Sequence, residues 1–210
     1  MRIKLLFLAL MFSMCSNTMA EETRIKIISL STTHTEIIQS LGAENTLVGI
    51  DSFSEVSFPV EVIDSYTTTA DELRALDADL VILAFDFNGI VEGLKNQEIN
   101  YLLLPPARSL EDVYSQIETI GAIVNKKSEA AAKTRETKLS ISRTVDNSNF
   151  EDISVYHEVG YSYGIYSVNS NSLIGEIYNL LGVENIANFE VDTFGSGYPE
   201  LTEETILKAN

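Results

Sequence analysis

The chain has 210 residues, of which 45% are apolar and 9% aromatic, enough for one sizeable hydrophobic core or two smaller ones. Its 14 Lys and Arg stand against 31 Asp and Glu, a formal net charge of −17. A surface this acidic repels nucleic acid and anionic lipid, which argues against DNA binding and against binding to a membrane surface by charge.

The first 20 residues have the composition of a secretory signal peptide. Arg2 and Lys4 precede an apolar run over residues 5–14, and small residues follow up to Ala20. The apolar run is too short to span a bilayer. We expect cleavage near Ala20 and an extracytoplasmic protein, in the periplasm or at the cell surface, with 12 basic against 31 acidic residues, a net charge of −19.

Cys15 is the only cysteine, and it allows two interpretations. It is either acylated as the anchor of a lipoprotein or removed with the signal peptide. Met14 stands directly before it, where lipoprotein signals need a small residue, and this favours the second interpretation. Without Cys15 the remaining chain has no disulfide framework and no thiolate metal site.

After the signal peptide, residues 21–107 predict an α/β lobe. Residues 24–30 read as a strand, 34–41 as a helix ended by Gly42, and 47–50 as a short strand. Irregular structure follows Pro59, up to the next predicted helix.

That helix begins at Thr69, which has capping-box spacing to Glu72. The continuous apolar run 79–85 and the run 99–104 predict strands buried on both faces, and residues 90–95 between them predict a helix. The β-α-β-α-β order predicts a parallel sheet covered by helices on both faces.

Residues 108–144 predict one long helix that joins two lobes. From Ser109 to Arg143 there is no proline, Ser109 and Asp112 can cap the start, and only Gly121 interrupts good helix formers. A helix of roughly 30 residues would be about 45 Å long at 1.5 Å per residue.

Residues 145–210 predict a second α/β lobe. A turn-rich linker leads to a strand at 153–159, a loop rich in Tyr and Gly, a helix at 172–181 capped by Gly182, and a helix beginning at Thr202. One clear strand and two helices are too few to bury a core, so we expect this lobe to be incomplete at its C-terminal end.

A short pattern recurs in both lobes at an offset of 140 residues. Six residues of the first copy are repeated, namely Glu36, Ile37, Leu41, Gly42, Glu44 and Asn45, which match Glu176, Ile177, Leu181, Gly182, Glu184 and Asn185. Glycine caps alone do not explain six identities, so we interpret the recurrence as a vestige of lobe duplication with structural content.

Several blocks of the chain together resemble the periplasmic-binding proteins of iron-siderophore, cobalamin and haem ABC importers. These blocks are "RIKIISLSTTHTEIIQSLGAENTLVGI", "DELRALDADLVIL", the helix after "LPPARSLEDVYSQI", and "VYHEVGYSYGIYSVNSNSLIGEIYNLLGVENIA" followed by "YPELTEETILKAN". The resemblance implies two Rossmann-like lobes joined by one long rigid helix, with ligand held in the cleft between them. It also implies that family members continue beyond Asn210.

The resemblance implies a function as the solute-binding component of an ABC importer. The expected ligand is an iron-siderophore or cobalamin-type chelate, and we expect no intrinsic cofactor. The partners would be the membrane permease and its ATPase, with the binding protein itself a monomer.

Members of this family dock onto their permease through one acidic residue on each lobe. By position these residues are Asp71 and Glu204, each in the first turn of a helix behind a threonine cap. The alternative is that both carboxylates only complement the helix dipole. Glu72 competes with Asp71, but its capping-box position gives it a local role.

Ligand contacts are expected in loops at the carboxyl ends of the strands. Aromatic rings suit a flat macrocycle or a catecholate, tyrosine hydroxyls can ligate ferric iron, and Arg108 is the best-placed cation for an anionic ligand. The alternative is a set of turns with no ligand role. The candidates are Thr33, His34, Asp51, Phe53, Phe85, Phe87, Arg108, Tyr161, Tyr163, Tyr166 and Tyr198.

His34 and His157 are the only histidines. Either could serve as an axial ligand of haem, although a structural role suits both positions better. A zinc or manganese importer protein would need more histidines. An enzyme related to the metal chelatases is a further alternative, but the chain has no nucleophile elbow, no P-loop and no glycine-rich dinucleotide turn.

Overall fold

The computed structural model describes residues 24–150, 152–160 and 162–209. The predicted signal peptide, Cys15 and Tyr161 lie outside the described residues. Within the described part, no helix combines the length and the apolar character needed to cross a membrane.

The first lobe is built on a parallel sheet, as the strand and helix order predicts. The sheet order is β3-β2-β1-β4-β5, and every neighbouring pair is parallel. The strands are β1 (Ile27–Leu30), β2 (Leu47–Asp51), β3 (Glu61–Ile63), β4 (Leu80–Leu83) and β5 (Tyr101–Leu103).

Helices cover both faces of this sheet. α1 (Thr32–Ser40) packs on one face, while α2 (Ala70–Arg74) and α3 (Ile90–Asn96) contribute to the core on the other. The predicted capping box at α2 is confirmed. The Thr69 hydroxyl accepts a hydrogen bond from the backbone N–H of Glu72, and the Glu72 carboxylate accepts one from the backbone N–H of Thr69. Two separate apolar cores result, one on each face.

Strand β3 was missed by the sequence reasoning. It has three residues, two of them exposed, and it lies at the edge of the sheet beside β2. Its pairing with residues 49–51 defines it as a strand. An edge strand this short carries too few buried positions to produce an alternating or continuous apolar pattern.

The prediction of one uninterrupted helix over residues 109–143 is wrong. The structure has α4 (Leu110–Ile123) and α5 (Lys127–Asp146), separated by a turn in which Asn125 has a φ of 59°. The Lys126 backbone N–H donates to the Gly121 carbonyl at 2.6 Å, which ends α4. A residue in the left-handed conformation ends a helix, and asparagine tolerates this conformation. A single asparagine among good helix formers does not mark a turn in the sequence, so the break was not predicted.

The two helices form an antiparallel hairpin. Near the turn, a β-carbon at Gly121 would lie 2.3 Å from that of Ala130, and at the far end Lys138 lies 4.3 Å from the Tyr114 ring centroid. α4 therefore packs against the first lobe, where Ile117 and Ile120 enter the core with α1. The connecting helix is α5 alone, 20 residues and about 30 Å long.

In the described part of the second lobe, the structure has two α-helices and four short strands. Its elements are β6 (Ser154–Val155), β7 (Ile165–Tyr166), α6 (Leu173–Leu181), β8 (Glu184–Asn185), β9 (Glu200–Leu201) and α7 (Glu203–Lys208). The strand predicted at 153–159 is limited to β6, which pairs with β8, while β7 pairs with β9. The described residues of this lobe form a small apolar cluster around Ile186, Ala187 and Leu201.

The recurring pattern occupies equivalent places in the two lobes. α1 and α6 each follow a serine and each lead into a left-handed glycine, Gly42 with a φ of 66° and Gly182 with a φ of 72°. The two lobe boundaries, drawn from sequence at 107/108 and 144/145, stay predictions.

Candidate functional site

The carboxyl ends of all five strands of the first lobe meet at one edge of the sheet. The strand order reverses at β1, which has β2 on one side and β4 on the other. In open α/β sheets, ligands bind in the crevice outside the carboxyl ends at such a reversal. The residues that follow β1 and β4 here are Ser31–Thr33 and Ala84–Phe85.

Four aromatic rings form a continuous cluster at this edge. Phe85 and Phe87 lie 5.1 Å apart between centroids, Phe87 and Tyr66 lie 4.5 Å apart, and Tyr66 meets Phe53 edge-on at 6.1 Å. None of the four belongs to either apolar core, and Phe53 is 68% exposed. An exposed aromatic surface of this kind is suited to stacking on a flat apolar ligand.

Tyr66 is a member of this cluster that the sequence reasoning missed. It stands in an Asp-Ser-Tyr segment in which Asp64 accepts the Tyr66 backbone N–H at 2.9 Å, and Asp51 accepts that of Phe53 at 2.9 Å in the segment Asp-Ser-Phe. In such Asx turns the carboxylate fixes the residue two places on. The repeated Asp-Ser-aromatic motif was the available signal.

Asn88 fastens the two sides of the aromatic cluster to each other. Its side-chain amide donates to the Tyr66 carbonyl at 2.6 Å, and its backbone adopts a φ of 52°. The Asn88 side chain thus joins the segment that carries Phe87 to the main chain of Tyr66, next to the stack of the two rings.

Two cavities lie on either side of Phe85. The smaller, of about 230 Å³, includes Asp51 and the ring cluster, and the larger, of about 530 Å³, lies between α1 and the α4–α5 hairpin and reaches Leu173 of the second lobe. Ser31, Thr33, Ala84 and Phe85 line both. The cavities therefore adjoin at the strand-order reversal, and the larger one is bounded by both lobes.

His34 lines the larger cavity but is almost entirely buried. Its side chain is 1% exposed, and Nδ1 has no hydrogen-bond partner among the described residues. Burial lowers its pKa to about 4. A neutral imidazole with an unpartnered ring nitrogen can donate or accept a hydrogen bond, according to its tautomer, with a ligand that reaches the cavity wall.

His34 is expected to make the free energy of unfolding depend on pH at values higher than those at which carboxylates titrate. Its pKa is about 4 in the folded state and about 6.5 unfolded, so the unfolded state takes up the proton first as pH falls. The free energy of unfolding should therefore drop by about 1 kcal/mol between pH 6.5 and 5.5 through this group. Urea unfolding of the wild type and of His34→Leu at both pH values measures the difference. An equal drop in the two proteins would contradict the assignment.

Arg108 lies at the entrance to α4 and makes contacts across the cleft. Its Nη2 donates to the Gly195 carbonyl at 2.5 Å and, more weakly, to that of Asn171 at 3.4 Å. It lines neither cavity. The predicted role of Arg108 as a cation for ligand thus competes with these two bonds for the same guanidinium.

A carboxylate organises the second-lobe loop that Arg108 reaches. Asp192 accepts the backbone N–H of Gly197 at 2.6 Å and that of Ser196 at 3.0 Å, with further bonds from the Ser196 hydroxyl and the Asn169 amide. The Gly197 bond is the main cause that holds the pKa of Asp192 below its usual value. The loop is thus built around one half-buried carboxylate at its base.

The second-lobe candidates have different degrees of exposure. Tyr163 is 95% exposed and Tyr198 46% exposed, whereas Tyr166 is half-buried in β7, paired with Glu200. Phe194, in the Asp192 loop, is 91% exposed. Tyr161 lies outside the described residues. The role of each in ligand binding stays a prediction.

The two predicted docking acids are both exposed in the first turn of their helices. Asp71 accepts a hydrogen bond from the Gln97 side chain at 2.5 Å, and Glu204 pairs with Lys208 at 2.5 Å one turn later in α7. Glu72 is occupied by its capping box, which lowers its pKa chiefly through the Thr69 backbone. Asp71 and Glu204 therefore both stand two residues after the threonine that caps their helix.

His157 has a local partner rather than an open face. Its Nδ1 lies 2.8 Å from the Tyr178 hydroxyl, while Glu158 accepts from Tyr156. His157 and Glu158 thus have separate partners. Among the described residues, no three His, Cys, Asp or Glu side chains are grouped so that they could hold a metal ion.

Two proteins from other organisms are similar in sequence to this chain. An ABC transporter substrate-binding lipoprotein of Bacillus subtilis, YvrC, is 28% identical over 199 residues, and a cobalamin-binding protein of Halobacterium salinarum is 26% identical over 192. The matches cover 88% and 87% of this chain. They cover only 61% and 51% of those proteins, so the chain spans little more than half their length.

Solved structures share the fold at low sequence identity. A periplasmic solute-binding protein of Staphylococcus epidermidis, described as a possible iron-binding protein, superposes with a TM-score of 0.75 at 21% identity, covering 89% of this chain and 74% of that one. The haem-binding protein HutB of Vibrio cholerae gives 0.73 at 19% identity, covering 88% and 73%. The family model described as periplasmic binding protein matches residues 27–210. The chain belongs to the periplasmic binding protein family.

Proposed function

We propose that this chain is the solute-binding component of an ABC importer and captures an iron-siderophore or cobalamin-type chelate in the cleft between its lobes. The observation that carries the proposal is the stacked cluster of Phe53, Tyr66, Phe85 and Phe87 at the strand-order reversal. The role is that of a carrier without enzymatic activity.

The chemistry of the cleft suits a chelate with a broad apolar face. The exposed rings offer a stacking surface, and the adjoining cavity of about 530 Å³ has apolar side chains such as Ile37, Val113 and Ile117 in its wall. Thr33, Gln116 and Lys133 provide polar groups at the same cavity. A few polar groups in an apolar cleft orient a ligand while burial provides the affinity.

The similar proteins support this class of ligand without selecting one. The relative from Halobacterium is named for cobalamin, and structural neighbours are named for iron, haem and vitamin B12. The proposed partners are a membrane permease and its ATPase, with Asp71 and Glu204 as the docking acids and the binding protein as a monomer. The proposed location is extracytoplasmic, after cleavage near Ala20 or with a lipid at Cys15.

Calorimetric titration of the chain with four chelates tests the proposal. The probes are cyanocobalamin, a neutral ferric trihydroxamate, a ferric tris-catecholate and haem, with metal-free siderophores as controls. We expect one chelate class to bind at 1:1 stoichiometry and the metal-free siderophores to bind more weakly. The reason is that the metal organises the flat or compact shape that the cleft accommodates.

A folded protein that binds none of the four chelates would contradict the proposal. Circular dichroism in the same buffer establishes that the sample is folded. Binding of haem alone would retain the transport role but exclude the siderophore and cobalamin classes. Turnover of any probe would contradict the assignment as a carrier.

A further inference from the structure

Among the described residues, the side chains of Arg108 and Glu176 make hydrogen bonds from one lobe to the other. In the first of these contacts, Arg108 of the first lobe donates to the carbonyls of Gly195 and Asn171 of the second. Both acceptors are main-chain carbonyls, so these bonds position the backbone of the second lobe rather than a side chain. A guanidinium donor strengthens each bond relative to a neutral donor.

The second contact runs in the opposite direction. Glu176 of α6 accepts the backbone N–H of Leu110 at 2.7 Å, and Leu110 is the first residue of α4. The first N–H groups of a helix have no partner within it, and the helix dipole favours a negative charge there. Ser109 and Asp112 satisfy other N–H groups of this turn, so Glu176 completes the cap from the other lobe.

The loop that Arg108 holds carries candidate ligand residues. Gly195 follows Phe194 directly, and Gly195 and Gly197 have φ values of 59° and 88°, which shape the loop around Asp192. Its conformation is therefore set internally, and Arg108 sets its position relative to the first lobe. A shift of the arginine would move Phe194 relative to the ring cluster.

We infer that Arg108 and Glu176 form a cross-lobe clasp that sets the angle between the lobes. They are positioning residues, since they act on the second-lobe loop and on α6 rather than on the ligand. The clasp borders the same cleft in which the proposed function places the ligand, and to that extent the inference rests on the proposed function. Its effect on the angle between the lobes does not depend on which ligand the cleft binds.

Distance measurements between spin labels on the two lobes test the clasp. In a Cys15→Ser background, cysteines replace the exposed residues Glu92 of α3 and Glu203 of α7, one on each lobe. The unliganded protein is expected to give one narrow distance distribution. Arg108→Ala combined with Glu176→Ala is expected to lose it and give a broad one.

Conservative variants separate the clasp from a general effect on folding. Arg108→Lys retains the charge but not the planar fork, so it should broaden the distribution. Glu176→Gln retains an oxygen that can accept from Leu110, so it should stay close to wild type. Arg135→Ala and Glu118→Ala, on the exposed sides of α5 and α4, are matched controls that should change nothing.

An unchanged narrow distribution in the double alanine variant would overturn the clasp. A second readout is chelate affinity, where loss of the charge-assisted bonds should weaken binding about tenfold. If no chelate binds even the wild type while the distances respond as expected, the proposed function fails and the clasp stands. If affinity falls without any change in distance, Arg108 acts on the ligand directly and the clasp is wrong.

Discussion

An alanine in place of Gly121 is expected to lower the free energy of unfolding by about 2 kcal/mol, although alanine is the better helix former. The new β-carbon would lie 2.3 Å from that of Ala130 and 3.2 Å from the Lys126 carbonyl. The gain in helix propensity is about 1 kcal/mol, and forcing an extra carbon into a closed contact typically costs 1–3 kcal/mol or more. The steric cost of the new contact exceeds the gain in helix propensity, because the tight turn after α4 keeps the two helices from moving apart.

A double-mutant cycle isolates this contact. Ala130→Gly alone should destabilise by about 1 kcal/mol, and the pair Gly121→Ala with Ala130→Gly should be more stable than the sum of the single changes predicts. Urea unfolding of the four proteins measures the coupling. Gly160→Ala serves as a control, because a β-carbon there would meet nothing within 4 Å. Additive effects would show that the two helices are not in tight contact.

Loss of either ring from the central stack is expected to weaken chelate binding by about 10- to 30-fold, as truncation of a buried aromatic anchor does at other sites. The variants are Tyr66→Ala and Phe87→Ala, whose rings lie 4.5 Å apart. Each removes a stacking face and loosens the other ring, so the double variant should lose less than the sum of both. The measurement is the Kd for whichever chelate the wild type binds.

The matched control for this prediction lies elsewhere on the same lobe. Val62→Ala removes a side chain that is 60% exposed on the edge strand β3, and its Kd should equal that of the wild type. Phe87→Leu retains apolar volume without a ring and should fall between wild type and Phe87→Ala. An unaltered Kd in both alanine variants would remove the ring cluster from the binding surface.

Local rules accounted for most of the first lobe. The strands at 27–30, 47–51, 80–83 and 101–103 and the capping boxes of α2 and α4 all followed from residues within a few positions of one another. β3 did not, because only its pairing with β2 distinguishes its three residues from a loop. The second lobe was predicted less well, since its strands have two residues each.

The candidate site shows the same division. Phe53, Phe85 and Phe87 could be selected from sequence because each follows a recognisable strand, whereas Tyr66 follows the strand that was missed. The turn at Asn125 was also missed, since one left-handed residue decides whether residues 110–146 form one helix or a hairpin. The close approach of Gly121 to Ala130 is consistent with the hairpin but is a tertiary contact.

The sequence by itself determined the class of fold, the family resemblance and the end of the sheet at which the candidate site residues of the first lobe lie. These depend on apolar periodicity, caps and the order of elements, which are properties of short segments. Only the tertiary structure decided what Arg108 and Glu176 contact. Their partners lie 63 to 87 residues away along the chain, and such contacts arise from the packing of whole elements, for which short segments carry no pattern.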